Sequence, residues 1–237
     1  FQTFVDHLSN LTYPECIQHQ DLLLSTTLES PNVSKFPVKS SYKRAFLKKL
    51  LAEVEKHDIA HPAIYDLYVK VLSESEQIGD HFRHFLLPSG RIIKLKESDS
   101  IISKGTTGLS VWQGGIALTE WAFQHSSLLQ RKNILELGCG VGFTGIALCL
   151  SEVYPESYVF SDYHPDVLET LELNIKINDL SLYKGESINN SNTKIKVVPL
   201  NWEEVDDFSL DSSFQPEVIL AAGQFKVSKS INLLCII

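Results

Sequence analysis

Hydrophobic positions follow helical spacing in the first third of this 237-residue chain. In residues 42–54, one predicted apolar face consists of Phe46, Leu47, Leu50, Leu51 and Val54. A second helix is predicted to begin at Pro62, because proline suits the first helical position. Its predicted apolar stripe consists of Ile64, Leu67, Tyr68, Val71 and Leu72. We therefore predict a helical N-terminal domain over residues 1–80.

Strand-like and helix-like blocks alternate in the rest of the chain. Two short apolar runs around a Pro88-Ser89-Gly90 turn predict a β-hairpin connector over residues 81–100 that covers the next domain. From residue 101 the pattern predicts helices over 109–123, 144–150 and 165–178, and strands over 134–137, 158–162, 195–200 and 218–222. Strands separated by helices favour an α/β fold with a parallel, doubly wound, Rossmann-like sheet over residues 101–237. Ligands bind such sheets at the carboxyl ends of the strands.

A glycine-rich turn follows the first strand of this region directly, with the sequence E-L-G-C-G-V-G-F-T-G over residues 136–145. Glycine lets the backbone approach a ligand, and the helix that follows offers its N-terminus. The G-x-G-x-x-G pattern that begins at Gly140 matches the dinucleotide fingerprint, whereas E-x-G-x-G-x-G from Glu136 matches the S-adenosyl-L-methionine loop of class I methyltransferases. The turn alone therefore leaves two cofactors open.

The residues around the turn favour S-adenosylmethionine. Gly138, not Gly140, follows the strand immediately, and the dinucleotide pattern counted from Gly138 fails at Phe143. Glu136 lies inside the strand, where a carboxylate needs a partner and would repel the pyrophosphate of NAD. Asp162, 20 residues after Gly142, ends the next strand, where a carboxylate can accept hydrogen bonds from a ribose or cap the following helix.

Aromatic and amide side chains near strand ends extend the candidate site. Asn201 and Trp202 end the third strand, where an indole can stack on adenine and an amide can meet its polar edge. Trp112 lies one helix before the glycine-rich turn. Core packing is the commoner role of a single tryptophan, and the end-of-strand position of Trp202 makes a binding role equally compatible there.

Composition excludes several other classes. With 21 basic and 29 acidic residues, the net charge of −8 argues against a protein that binds nucleic acid through phosphates. No apolar run reaches the roughly 18 residues that span a membrane. The four cysteines form no C-x-x-C pair and are predicted to be reduced thiols. His81 and His84 lack further ligands at metal-site spacing, so no metal is expected.

Five motifs, in order, resemble the seven-β-strand protein-lysine methyltransferases. They are residues 105–112 (GTTGLSVW), 134–145, 160–162 (FSD), 174–178 (NIKIN) and 201–202 (NW). Within the family, the chain most resembles the members that methylate elongation factor 2. The resemblance implies a cytoplasmic enzyme that transfers methyl groups from S-adenosylmethionine to a lysine of that factor. It places the cofactor at Trp112, Glu136, Gly138, Gly140, Gly142, Asp162, Asn201, Trp202 and Ala222.

The chain departs from the family after the fourth strand. The family carries Asp-x-x-Tyr there, whereas this chain has Gly223 and Lys226 at the two positions. No residue is therefore assigned a catalytic role, and we expect a C-terminally truncated or variant form whose sheet lacks its last strands. The absence of a methionine at position 1 suggests a missing N-terminus as well. Two alternatives remain: a non-catalytic module that binds the translation factor or a chaperone, and an NAD-dependent oxidoreductase.

Overall fold

A computed structural model describes residues 6–8, 11–75, 79–100, 102–182, 193–201 and 214–222. The chain divides into two compact units, Phe1–Phe82 and Arg83–Ile237. The helices of the first unit are α1 (Tyr13–Thr26), α2 (Pro31–Lys35), α3 (Ser40–Val54) and α4 (Pro62–Ser73), with a 3₁₀ turn at Glu55–His57.

The two predicted N-terminal helices are confirmed and pack against each other as α3 and α4. Helix α4 begins at Pro62, after His61, whose Nδ1 accepts a hydrogen bond from the Ala63 N–H at 2.8 Å. The buried core of this unit includes Leu47, Leu50, Leu51, Val54, Ile64 and Val71. The expectation for Leu72 was wrong, because its side chain is 51% exposed. It lies one residue, about 100° of helix turn, beyond buried Val71 and so falls outside the stripe.

The predicted β-hairpin is confirmed as strands β1 (His81–Leu86) and β2 (Ile92–Glu97). Its turn closes with a hydrogen bond from the Gly90 N–H to the Leu87 carbonyl at 2.9 Å, and Gly90 has a φ of +81° that favours glycine. Strand β2 packs against helices that flank the main sheet.

Within the described residues, the main sheet has four parallel strands in the order β5-β4-β3-β6. They are β3 (Asn133–Leu137), β4 (Ser157–Asp162), β5 (Lys194–Pro199) and β6 (Val218–Ala221), with helix α7 (Phe143–Leu150) between β3 and β4 and helix α8 (Pro165–Ile177) between β4 and β5. The predicted α/β fold with a parallel sheet is therefore confirmed. Because β4 and β5 lie on one side of β3 and β6 lies on the other, the strand order reverses beside β3, where such sheets bind ligands.

Two buried asparagines, Asn174 on α8 and Asn178 directly after its last residue, attach the hairpin strand β2 to this helix. The Asn174 and Asn178 Oδ1 atoms accept hydrogen bonds from the backbone N–H groups of Lys96 and Lys94, at 2.8 and 2.9 Å. Their Nδ2 groups donate to the carbonyls of the same two residues, at 3.3 and 2.7 Å. Each amide thus completes backbone hydrogen bonds of β2 that a neighbouring strand would otherwise provide.

Helices α5 (Gln113–Gln124) and α6 (Ser126–Leu129) precede the sheet, and α5 packs against α7. The predicted helix over 109–123 was wrong for its first four residues. The Leu109 carbonyl accepts from the distant Ser98 N–H at 2.8 Å, and Trp112 has extended backbone with φ −99° and ψ 157°. Residues 105–112 therefore form a loop.

Cys16, Cys139 and Cys149 are free, buried thiols, as predicted, and Cys235 lies outside the described residues. Nowhere in the described ranges is there a helix with the length and apolar character that crossing a membrane requires.

Candidate functional site

The carboxyl ends of the four parallel strands and the loop before α5 surround a cavity of about 850 Å³. This volume lies within the range of small-molecule sites, roughly 300–1,000 Å³. Seven of the nine residues predicted to hold a cofactor line it: Trp112, Glu136, Gly138, Gly140, Asp162, Asn201 and Ala222. The fold therefore brings together residues that lie up to 110 positions apart in the sequence.

The structure does not place Gly142 in the cavity wall. Gly142 is the N-cap of α7 with a φ of +89°, and a Cβ there would lie 2.4 Å from Cδ1 of Leu171 and 3.2 Å from Cδ1 of Ile146. Its missing side chain thus makes room for the core. The predicted Trp202, and the Gly223 and Lys226 positions of the absent Asp-x-x-Tyr motif, lie outside the described residues.

Gly140 differs from Gly142 because it faces another loop. It has a φ of +54°, and a Cβ there would lie 3.0 Å from the backbone oxygen of Gly108. The loop before α5 therefore packs directly on the glycine-rich turn. The Gly140 N–H donates to Oδ2 of Asp162 at 3.1 Å, which ties the same turn to the end of β4.

Asp162 accepts three backbone hydrogen bonds. Besides that from Gly140, its Oδ1 accepts from the N–H groups of Tyr163 at 2.8 Å and His164 at 3.3 Å. The N-cap of α8 is His164, whose Nδ1 accepts from the Asp166 N–H at 3.3 Å, so Asp162 itself is not the helix cap. A carboxylate offers about four acceptor positions, so Asp162 retains capacity for a ligand hydroxyl.

Glu136 is a buried carboxylate at the base of the cavity. Glu136 is only 3% exposed, and its Oε2 accepts a hydrogen bond from the Tyr158 hydroxyl at 2.9 Å. Burial raises the pKa of Glu136 to about 7, and hydrogen bonds from Tyr158, the Thr144 side chain and the Gly145 backbone oppose that rise. The negative charge of Asp162 raises the pKa further. The site thus holds an acid that titrates near neutral pH.

The electrostatic character of the cavity follows from these two acids. Among the described lining residues, Glu136 and Asp162 are the carboxylates, and none is a lysine or an arginine. Such a wall favours a cationic ligand and disfavours a phosphate.

Sequence reasoning predicted Trp112 but missed the contact that fixes it, and it missed both Tyr163 and the pairing of Tyr158 with Glu136. Trp112 is fixed by a hydrogen bond from its Nε1 to the Thr107 carbonyl at 2.8 Å, which the residue types do not reveal. Tyr163 also lines the cavity, and its side chain is exposed. An aromatic residue directly after a candidate ribose acid was the available signal for Tyr163. No local signal connected Tyr158 with Glu136, because the two residues belong to different strands.

The sequence profile of the lysine methyltransferase family matches residues 92–236, so the chain belongs to that family. It is 38% identical to the protein-lysine N-methyltransferase EEF2KMT of Mus musculus over 214 residues, which are 89% of this chain and 57% of the relative. It is 37% identical to the Homo sapiens EEF2KMT over 204 residues, 84% of this chain and 60% of the relative. The putative protein N-methyltransferase FAM86B1 of Homo sapiens is 37% identical over the same shares.

These matches confirm the resemblance to protein-lysine methyltransferases. The chain spans about 57–60% of the length of these curated relatives.

Proposed function

We propose that this chain binds S-adenosylmethionine and belongs to a protein-lysine N-methyltransferase that acts on elongation factor 2 in the cytoplasm. Family membership supports methyl transfer to lysine. The resemblance to family members that methylate elongation factor 2 supports the substrate and the location. The observation that carries the cofactor assignment is the pair of carboxylates in a cavity whose described wall has no lysine or arginine.

Charge distinguishes the two cofactors that the glycine-rich turn left open. S-adenosylmethionine carries an ammonium and a sulfonium, whereas NAD carries a pyrophosphate. At a separation of about 4 Å and an effective dielectric constant of about 20, one pair of unit charges interacts by about 4 kcal/mol. For Asp162, and for Glu136 once it has lost its proton, that interaction attracts the cations of S-adenosylmethionine and repels a pyrophosphate. The cavity therefore fits S-adenosylmethionine better.

Six residues in the cavity wall have a task in this proposal. Asp162 accepts hydrogen bonds from the ribose hydroxyls, and Glu136 faces the cationic end of the cofactor. Gly138 and Gly140 let the backbone approach the ligand, while the indole of Trp112 and the Asn201 amide offer an apolar surface and a polar edge. The cofactor supplies a methyl group activated by the positive sulfur. The chain must then receive a lysine whose amine has lost its proton, since only the neutral amine is a nucleophile.

Calorimetric titration of the chain with S-adenosylmethionine and, separately, with NAD tests the cofactor assignment. We expect binding of S-adenosylmethionine and much weaker binding of NAD. Asp162→Ala should weaken binding by about tenfold or more, because it removes hydrogen bonds to a charged acceptor. Gly138→Arg should abolish binding, since it places a long side chain at a cavity-wall position with a φ of +64°. Asp66→Ala, on the exposed side of α4, is the matched control and should bind normally.

Absence of S-adenosylmethionine binding by the wild-type chain would overturn the proposal, and a preference for NAD would favour an oxidoreductase. Transfer is tested by incubating the chain with purified elongation factor 2 and methyl-labelled S-adenosylmethionine. Label recovered on a lysine of the factor supports the enzymatic activity. Cofactor binding without labelling would instead favour the non-catalytic interaction module.

A further inference from the structure

Tyr158 is fully buried on β4 and reaches Glu136 diagonally across the sheet. In the parallel pairing of β3 with β4, Tyr158 lies beside Ile134, and Glu136 lies beside Phe160. Tyr158 and Glu136 therefore share one face of the sheet, two residues apart in register. The Tyr158 ring spans that offset and brings its hydroxyl to 2.9 Å from Oε2 of Glu136. The hydroxyl thus contacts the cavity carboxylate from the core side.

The glycine at position 145 makes room for this arrangement. A Cβ on Gly145 would lie 2.2 Å from Cε1 of Phe160 and 2.4 Å from Cε1 of Tyr158, distances at which atoms overlap. The two rings are themselves in contact, with centroids 4.7 Å apart. Helix α7 can therefore pass over the Tyr158 ring only because residue 145 has no side chain. Gly145, the last glycine of the motif, therefore leaves space for the Tyr158 and Phe160 rings and is not among the residues that line the cavity.

We propose that Tyr158 is a positioning residue for cofactor binding, whose hydroxyl holds the Glu136 carboxylate at the cavity wall to receive the cationic end of the cofactor. The inference rests on the proposed function, because it assumes that the cavity binds S-adenosylmethionine. Tyr158 itself is not among the residues that line the cavity. It therefore acts on the ligand through Glu136.

The surroundings of the pair identify Glu136 as the group that titrates near neutral pH. In the described part of the chain, the charge of Asp162 at the end of β4 raises the pKa of Glu136, and Glu136 in turn raises the pKa of Cys139 in the glycine-rich turn and of Cys149 on α7. Burial raises the pKa of both thiols and so keeps them neutral. The neighbouring β6 residue, Leu220, is apolar. The hydrogen bond from Tyr158 lowers the pKa of Glu136, so its loss should leave Glu136 neutral up to a higher pH.

The test is the affinity for S-adenosylmethionine, measured by calorimetry from pH 6.5 to pH 9 for the wild-type chain and Tyr158→Phe. We expect Tyr158→Phe to weaken binding by roughly tenfold near pH 7, and the loss to shrink by pH 9, where Glu136 is ionised in both proteins. The matched control is Tyr65→Phe, which removes another tyrosine hydroxyl bound to a glutamate, Glu55, at 2.7 Å on an exposed surface. The control should bind with wild-type affinity at every pH.

Glu136→Gln provides a second arm in which Tyr158 stays in place. We expect Tyr158→Phe to have no further effect on binding in this background at any pH, because the carboxylate that Tyr158 holds is gone. If Tyr158→Phe weakens the binding of S-adenosylmethionine equally in the wild-type chain and in Glu136→Gln, the positioning role is overturned.

The two proposals fail in different ways. If the wild-type chain binds S-adenosylmethionine and Tyr158→Phe binds it equally well at all pH values, the positioning role is overturned and the proposed function stands. If the wild-type chain does not bind S-adenosylmethionine, both are overturned. Thermal unfolding of each variant verifies that the protein compared is folded.

Discussion

Glu136 should destabilise the folded chain at neutral and alkaline pH, and replacing it with glutamine should reveal this. Its pKa lies at about 7 in the folded protein, against an ordinary value of 4.5. The folded state thus holds the proton to a higher pH than the unfolded state does. The associated stability is complete below about pH 4.5 and is lost as the pH rises toward 7.

The size of this pH-dependent loss of stability follows from the difference between the folded and the ordinary pKa of Glu136. Each unit of pKa difference corresponds to about 1.4 kcal/mol, so the loss between pH 5 and pH 8 is roughly 2–3 kcal/mol. Glu136→Gln has no such proton to lose. Its free energy of unfolding should therefore rise relative to the wild type by roughly 2–3 kcal/mol over the same pH range. In addition, the free energy of unfolding of Glu136→Gln should be lower by about 1 kcal/mol at every pH. The reason is that the glutamine amide cannot accept every hydrogen bond that the carboxylate accepts.

Urea unfolding at pH 5 and pH 8, followed by tryptophan fluorescence, measures these free energies. The quantity of interest is the difference between variant and wild type at each pH. Glu120→Gln, at an exposed position of α5, is the control and should stay within about 0.5 kcal/mol of the wild type. If the difference in free energy of unfolding between Glu136→Gln and the wild type is the same at pH 5 and pH 8, the pKa of Glu136 is not raised in the folded chain.

Two further substitutions test the packing that supports the site. Gly145→Ala should lower the melting temperature by roughly 4–8 °C in calorimetry, because its Cβ would overlap the Phe160 ring. Gly115→Ala, where a Cβ meets only a side-chain oxygen at 3.8 Å, should be neutral or slightly stabilising; equal effects of both would contradict the packing argument. Asn174→Ala should cost about 2–4 kcal/mol in urea unfolding, because the half-buried Lys96 N–H and carbonyl and the buried Val141 carbonyl all lose their partner. A cost below about 1 kcal/mol would show that the hairpin does not depend on this amide.

The retention of a destabilising acid is typical of a residue kept for binding. A buried carboxylate costs stability unless a partner offsets it. In the folded chain, Tyr158 and the start of α7 offset only part of that cost, since the pKa of Glu136 remains raised. A bound cation would offset the rest. Ligand binding should therefore stabilise the protein most at pH values where Glu136 would otherwise be ionised without a cationic partner.

Regular elements with strong periodicity could be predicted from the sequence. Helices α3 and α4 and strand β4 were placed within a few residues, because local apolar spacing determines them. The prediction of a helix over 109–123 was wrong for residues 109–112, because a hydrogen bond to a distant part of the chain determines their conformation. Leu109 pairs with Ser98, and a hydrogen bond between loop positions leaves no periodic signal.

The roles of the glycines at the candidate site could not be predicted from the sequence either. Gly140 and Gly142 both have positive φ and both fit the motif, yet only Gly140 lines the cavity, while Gly142 faces Leu171. Sequence spacing identifies a turn that needs glycines, but it does not say which glycine faces a ligand and which one faces the core. That distinction depends on the helices packed behind the turn.

A crystal structure of the chain with S-adenosylhomocysteine would show whether the cavity at the strand ends holds the cofactor. We predict the ligand in this cavity, with its ribose hydroxyls about 2.7–3.2 Å from the Asp162 carboxylate and its ammonium group on the side of Glu136. A ligand bound elsewhere, or a ribose that makes no contact with Asp162, would contradict the account.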